Sequence, residues 1–318
     1  MNHPKISVII LNWNGLEDTI ECLESLRKAT YPNYDVVLVD NGSEGNDVRI
    51  LREKFGNYIH IIENDRNYGF AEGMNIGMRN ALHDSNPDYF LLLNNDTVVA
   101  PNCLAELVKV AESDPLIGIV GPKIRWYHDP NRIQSVGGQL NWWTGQRYLI
   151  GYNQIDQGQF DEVREVDWVS GAALLIRRRT VADIGLLHAE YFLYSEEVDW
   201  CARCRKAGYK VAFAPAAEVW HKCEWETKGI GRYQLYYMTR NRYLFMRRNA
   251  TRQQFTFFLI QFTLKSLLLV PAWLLLRRRN PKLLLTLFKA IYDGIRISLK
   301  GSANAGVLPT AKYRREQH

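Results

Sequence analysis

Ile6-Ser7-Val8-Ile9-Ile10-Leu11 is an apolar run, rich in β-branched residues, that ends abruptly in Asn12-Trp13-Asn14. Such a run without polar alternation marks a strand covered on both faces. A helical pattern follows over 16–28, with Leu16, Ile20, Leu23 and Leu26 on one side. The same sequence of elements then repeats. Asp35-Val36-Val37-Leu38-Val39-Asp40 predicts a second buried strand and 47–55 a helix. His60-Ile61-Ile62 predicts a short third strand and 70–82 a helix. Tyr89-Phe90-Leu91-Leu92-Leu93 predicts a fourth strand and 101–113 another helix. Strands alternating with helices at this spacing form a parallel sheet with helices on both faces. In the third helix Gly73, Gly77 and Ala81 stand four apart, which lets that face lie close to a sheet or a ligand.

Three of these strands end in polar residues: Asn12-Trp13-Asn14, Asp40-Asn41-Gly42-Ser43 and Asn94-Asn95-Asp96. Ligands of open α/β sheets bind outside the carboxyl ends of the strands, so Asn12, Asp40 and Asp96 are expected around one crevice. The loop after the first strand holds one glycine, Gly15. That speaks against the Gly-rich phosphate loop of a nucleotidyltransferase or a dehydrogenase.

Beyond residue 115 the pattern is less regular. Gly137-Gly138, Trp142-Trp143 and Gly145 suggest a loop-rich segment, 166–177 an extended piece, and 211–215 a strand followed by Glu218-Val219-Trp220-His221. Ser195-Glu196-Glu197-Val198-Asp199-Trp200 places three carboxylates directly after the apolar and aromatic run Tyr191-Phe192-Leu193-Tyr194. Carboxylates at the edge of an apolar wall have raised proton affinity and can serve as a general base. The plainer alternative is a helix N-terminus whose acids complement the macrodipole. That helix is expected over 196–207, closed by Gly208.

With 318 residues, 47% of them hydrophobic and 23% charged, the chain suits one large globular domain, or a domain with a helical appendage. Five scattered cysteines (Cys22, Cys103, Cys201, Cys204, Cys223) argue for a reducing compartment, and Met1–Lys5 shows no signal-peptide pattern. The net charge of +6 hides an asymmetry. Residues 240–318 hold 16 Lys and Arg against two acids, a balance of +14, leaving 24 against 32, or −8, in residues 1–239. The division expected is therefore a catalytic domain over 1–239 and a basic, apolar helical extension over 240–318 with an anionic partner. Residues 255–276 are long enough to span a bilayer. Arg247, Arg248 and Arg252 before them and Arg277, Arg278 and Arg279 after them give no orientation, and Lys265 is costly at bilayer depth. Attachment to the surface of an anionic membrane fits better, with helix pairing in a homo-oligomer as the alternative. The adjoining apolar run favours lipid over nucleic acid as the partner of the basic residues.

Several segments taken together resemble the family 2 glycosyltransferases of GT-A fold. They are Ser7–Asn14, Val39–Ser43, Asn67–Ala71 with Asn75, Leu93–Thr97, Ser170-Gly171-Ala172, Ser195–Trp200 and Trp220-His221, spread over residues 5–245. Their wording is similar to the bacterial rhamnosyltransferase-like branch. The resemblance implies a Rossmann-like, mostly parallel sheet with helices on both faces. It implies inverting transfer of a rhamnose-like sugar from a dTDP- or UDP-sugar to a glycan or lipid-linked acceptor, in envelope polysaccharide synthesis at the cytoplasmic face of the membrane.

Position by position, the resemblance puts Asn12 and Asp40 at the nucleotide's base and ribose, with Asn14, Asn41, Arg66, Asn67 and Asn95 nearby. Asp96 matches the last carboxylate of the family's Asp-x-Asp motif and His221 a further metal ligand, for Mg2+ or Mn2+ across the pyrophosphate. Asn94 stands where the motif has its first Asp; it keeps a hydrogen bond to ribose and removes a charge. Glu197 matches the catalytic base, usually an Asp, and leaves Glu196 as the other candidate. Trp168, Ser170 and Gly171 line the acceptor side, with Asp199 structural at the helix start. Cys201-x2-Cys204 followed by His221 and Cys223 is a zinc alternative, weakened by the short His-x-Cys spacing. A non-catalytic sugar-binding or membrane scaffold protein is the rival of a different class. It has no need of Glu197, Asp96 and His221 together.

Overall fold

In the computed structural model, residues 3–223, 231–276 and 281–300 are described. The chain runs β1 (Ile6–Asn12), α1 (Leu16–Leu26), β2 (Tyr34–Asp40), α2 (Asp47–Phe55), β3 (His60–Glu63), α3 (Phe70–Asp84), β4 (Tyr89–Asn94), β5 (Thr97–Val99) and α4 (Cys103–Ser113). It continues with β6 (Ile117–Trp126), β7 (Ile133–Ser135), β8 (Gly138–Asn141), β9 (Gln146–Leu149), β10 (Arg164–Glu165) and β11 (Ala173–Arg177). Then come α5 (Arg178–Ile184), α6 (Glu196–Lys206) and β12 (Lys210–His221), and after them α7 (Arg232–Asn249), α8 (Arg252–Leu276) and α9 (Lys282–Lys300).

The main sheet has the order β10-β12-β6-β11-β4-β1-β2-β3, with β5 added to β12 and β7 to β6. β4, β1, β2 and β3 are mutually parallel, as the alternation of strands and helices predicts. The irregular second half builds the rest. β11 runs antiparallel between β4 and β6, and β12 runs parallel to β6. The GT-A-like mixed α/β sheet is thus parallel on one side and mixed on the other. Residues of β1, β2 and β4 are buried almost throughout, together with the inward faces of α1 and α4. Close approach of α3 depends on its glycines: a Cβ on Gly77 would lie 2.4 Å from Ile9 Cγ2 and 3.0 Å from Val39 Cγ2. Away from the strand ends, Lys123 of β6 is buried between Asp156 Oδ2 and Asp161 Oδ1, each at 2.9 Å, while Arg125 Nη2 reaches the same Asp156 oxygen at 2.6 Å.

The chain divides into two compact units. The first comprises Met1–Leu140, Arg147–Leu187 and Glu197–Cys223; the second comprises Asn141–Gln146, His188–Glu196 and Glu224–His318. The boundary read from charge, at 239/240, falls inside α7, where Arg240 is fully buried. Within the second unit α9 crosses α7 where Gly294 meets the Tyr243 ring. Asp293 Oδ2 accepts from Tyr236 Oη at 2.6 Å and Lys289 Nζ at 2.8 Å. Trp142 stacks on Phe245, and Arg242 Nη2 donates to the Thr144 carbonyl at 2.8 Å. α8 exposes Phe257, Ile260, Leu264, Leu267, Leu268 and Leu269, and α9 exposes Leu285, Phe288, Tyr292 and Leu299. Among the described residues α8 is the one helix long and apolar enough to cross a membrane. The flanking Arg277, Arg278 and Arg279 and residues 301–318 lie outside the described residues.

Candidate active site

Strand register sets the first part of the site. Asn12 pairs with Asp40 across β1 and β2, and Leu11 pairs with Asn94 across β1 and β4, so the three polar strand ends share one edge of the sheet. Asn12 is fully buried. Its Nδ2 donates to Asp40 Oδ1 at 2.8 Å, with Ser43 Oγ at 3.1 Å and Asp47 Oδ2 at 3.2 Å. Its Oδ1 accepts from Thr19 Oγ1 at 2.8 Å. The Ser43 amide holds the other Asp40 oxygen at 2.9 Å. Asp40 is thus aimed by its neighbours while Asn12 acts as their brace. Asn41 is a second brace: it donates to Asn67 Oδ1 (3.0 Å) and accepts from Asn64 Nδ2 (3.0 Å) and the Tyr68 amide (3.1 Å). These bonds fix the loop that carries Arg66, whose backbone lies against Gly42. A Cβ on Gly42 would come 2.6 Å from Arg66 Cα, and the Gly42 φ of +76° also favours glycine. Arg66 is exposed, with its guanidinium 4.7 Å from the Tyr68 ring. Asn14, at φ 53°, accepts from the Glu44 amide (2.7 Å), and Asn95 Nδ2 donates to Thr19 Oγ1 (2.9 Å).

The second part comes from the antiparallel pairing of β5 with β12, which sets His221 opposite Thr97 and so beside Asp96. The Lys222 amide donates to the Asp96 carbonyl at 3.0 Å. His221 Nδ1 lies 2.7 Å from Gln134 Oε1. That oxygen accepts, so Nδ1 carries the proton and Nε2 presents its lone pair, 3.2 Å from Asp96 Oδ1. Two electron-rich atoms then face each other, a conflict that a proton or a metal ion removes. Burial raises the proton affinity of Asp96, but the His221 imidazole, once protonated at Nε2, adds charge and a hydrogen bond that outweigh it and hold the carboxyl below its ordinary range. Asp96 Oδ1 and Asn94 Oδ1 are both buried without a hydrogen bond. Two hard oxygens and an imidazole nitrogen fit Mg2+ or Mn2+, with the remaining positions left to diphosphate and water. Among the described residues no three His, Cys, Asp or Glu side chains gather as a complete metal cluster. The zinc alternative finds no support there. Burial pushes the Cys201 thiol well above its ordinary value and Cys204 up to about 12, so both pack as apolar groups.

The third part is the acidic turn. The Asn94 amide donates to the Ala172 carbonyl at 2.9 Å, which sets Ser170-Gly171 beside the end of β4. A Cβ on Gly171 would lie 3.5 Å from Glu197 Cγ, so the Glu197 side chain passes directly over this glycine. Glu196 is buried, 4% exposed. Asp199 points away into the fold. It is buried and pairs with Arg203 Nε at 2.8 Å, and Arg203 Nη2 in turn donates to the Leu186 carbonyl. Trp168, named for the acceptor side, is also buried and lies across Gly138, with its Nε1 3.4 Å from the Gln139 carbonyl; packing occupies its ring. Just before the acids the backbone enters the left-handed region at three non-glycine residues, Phe192 (φ 64°), Tyr194 (67°) and Ser195 (80°). Each costs about 1–2 kcal/mol. Thr19 and Gln134 were not singled out from sequence. Gln134 acts through His221, 87 residues away, and Thr19 through Asn12 and Asn95, and neither carries a local signal.

Residues 3–254 match the family described as Glycosyltransferase like family 2. The low-salt glycan biosynthesis hexosyltransferase Agl10 of Haloferax volcanii is 26% identical over 296 residues, 91% of this chain and 90% of that protein. The N-acetylglucosaminyl-diphospho-decaprenol L-rhamnosyltransferase of Mycobacterium tuberculosis is 28% identical over 217 residues, 63% of this chain and 70% of that protein. Among solved structures, the mannosyltransferase PcManGT of Pyrobaculum calidifontis, in complex with GDP-Man and Mn2+, shares the fold with a TM-score of 0.56 and 17% identity. That match covers 98% of this chain and 78% of that one.

Proposed function

The chain belongs to the glycosyltransferase-like family 2, and from that premise we propose that it moves a rhamnose-like sugar from a dTDP- or UDP-sugar to a hydroxyl of a glycan or lipid-linked glycan, inverting the anomeric carbon. The observation that carries the reading is the gathering at one sheet edge of Asp40, the Asp96–His221 pair, and Glu197 over Gly171. Asp40, both oxygens oriented, accepts the ring N–H of the pyrimidine. Asn94 bonds the ribose, and Arg66 and Asn67 flank the nucleotide. Asp96 and His221 would hold a divalent cation, which supplies charge neutralisation to the departing diphosphate when bound. Glu197 takes the acceptor hydroxyl proton as its oxygen bonds to the anomeric carbon. The bond from that carbon to the phosphate oxygen breaks, and its electrons leave with the diphosphate. Attack from the side opposite the leaving group gives inversion. Ser170 and Gly171 line the acceptor side.

The names of the two relatives, a glycan hexosyltransferase and a rhamnosyltransferase of a diphospho-decaprenol-linked sugar, support this substrate class. A lipid-linked acceptor also gives the second unit a purpose. Its basic balance and the exposed apolar residues of α8 and α9 suit attachment to an anionic leaflet on the cytoplasmic face. Sedimentation with anionic and neutral vesicles checks that part; a stable soluble oligomer that binds neither would exclude it. The whole reading is tested by screening dTDP- and UDP-sugars for release of nucleoside diphosphate with Mn2+ and with EDTA. Release from at least one donor, lost in EDTA, is expected. Silence across the panel contradicts the proposal.

A further inference from the structure

Left-handed backbone at a non-glycine residue persists only where the surroundings over-determine it. Phe192, Tyr194 and Ser195 adopt it just before Glu196 and Glu197, and α7 supplies what holds them. Asn241 Nδ2 lies within hydrogen-bond reach of three carbonyls of this loop, those of Tyr191 (3.0 Å), Leu193 (2.7 Å) and Tyr194 (2.7 Å), which its two N–H groups share. Arg240 Nη2 donates to the carbonyls of Glu190 (2.6 Å) and Tyr191 (2.9 Å). Arg240 Nε donates to Asn241 Oδ1 at 2.8 Å, which fixes the amide so that its N–H groups face the loop. Both side chains are 0% exposed. Phe192 stacks on Tyr237, one turn earlier on α7, at 5.1 Å, and the Arg240 guanidinium lies 4.8 Å from the same Tyr237 ring. A buried cation and a buried amide are here spent on main-chain carbonyls of one short segment, and that segment leads without interruption into the acidic pair.

We propose that Arg240 and Asn241 are positioning residues for the general base. They hold residues 190–195 in the left-handed path and thereby set the point and direction at which Glu196 and Glu197 begin α6. This rests on the reading of that pair as the source of the base. A misplacement of about 1 Å at a reacting group costs on the order of 10²-fold in rate. The test compares full-length Asn241→Ala with Leu244→Ala, a buried apolar truncation on the same helix. Melting temperature, Mn2+-dependent UDP or dTDP binding, kcat with its pH profile, and amide exchange at 192–197 are measured for each. Asn241→Ala is expected to lose about 10²-fold in kcat, with nucleotide affinity held and the acid limb of the kcat profile displaced. Its exchange at 192–197 rises. Leu244→Ala, at equal or greater loss of melting temperature, keeps its kcat and its exchange pattern. Unchanged kcat or exchange in Asn241→Ala overturns the proposal, as does an equal loss of both in Leu244→Ala. If Asn241→Ala does not fold, Arg240→Lys, which keeps the charge and loses the fork of donors, takes its place with the same two readouts. Should the wild type turn over no nucleotide sugar, the function reading fails, and the exchange measurement alone still decides whether α7 holds the loop.

Discussion

Glu197→Gln separates proton transfer from packing at the proposed base. The side chain runs across Gly171, with Cγ, Cβ and Cδ at 3.5, 3.6 and 3.7 Å from where a glycine Cβ would stand. These are ordinary van der Waals distances. Glutamine has the same shape, so the contact, the start of α6 and the donor site are kept. What is lost is the capacity to accept the acceptor hydroxyl proton, worth about 10²- to 10⁴-fold, or about 3–5 kcal/mol in the barrier. The assay is kcat for nucleoside diphosphate release with acceptor present, alongside calorimetric Kd for UDP or dTDP with Mn2+. The expected variant binds nucleotide like the wild type and turns over at least about 10²-fold more slowly. Glu196→Gln, at the buried neighbouring position, is the matched comparison. If Glu196→Gln is the inactive one, the base sits one residue earlier. If both variants keep wild-type turnover, the base assignment is refuted.

Further expectations follow from the same geometry. Asp96→Asn removes the charge that faces His221 Nε2 and should weaken Mn2+-dependent nucleotide binding by about 10- to 100-fold, the loss of one charge-assisted contact. Equal binding in wild type and variant would remove Asp96 from the metal site. Gly77→Ala forces a Cβ to 2.4 Å from Ile9 Cγ2. Overpacking of about 1–3 kcal/mol exceeds the roughly 1 kcal/mol that alanine adds to a helix, so a lower melting temperature is expected, and an unchanged one would mean that α3 sits farther from the sheet. Although burial raises the Asp156 carboxyl, Lys123 and Arg125 hold it below its ordinary value of 3.8. A depressed folded pKa stabilises above that value and is lost as pH falls through the folded one. Asp156→Asn should therefore lower the urea midpoint at pH 7, by about 3 kcal/mol in stability, and shrink the wild type's decline in acid below pH 4; an unaltered acid limb would contradict this.

Much of the fold was legible because the first four strands carry their own punctuation. Each is an apolar run, and β1, β2 and β4 end in a polar cluster exactly where a ligand edge must be, so register alone brings Asn12, Asp40 and Asn94 together. Gly208, expected to close the helix over 196–207, has a φ of +87° just past α6. The second half resisted for physical reasons. β12 reads as two fragments because the register shifts between Ala214 and Glu218, around Pro215, which has no amide to donate. β6 was not recognised as a strand at all, and its partners β11 and β12 arrive from some 50 residues or more away, a separation without local trace. Asn12 and Asn41 were read as nucleotide contacts, and the fold adds that both brace the strand ends through bonds to neighbouring loops, which residue type alone does not announce. For Arg240 a charge count registers a cation, and the fold adds that its Nη2 reaches main-chain carbonyls.

The most direct test of the central claim is a time course by proton and phosphorus NMR of the full-length protein with Mn2+, the donor identified by the screen, and an acceptor glycan. The account predicts that the donor's anomeric signal decays in step with the appearance of nucleoside diphosphate. It predicts that decay depends on acceptor, and that the new glycoside has the opposite anomeric configuration to the donor. Retention of configuration, or a donor left intact with every acceptor offered, would contradict it.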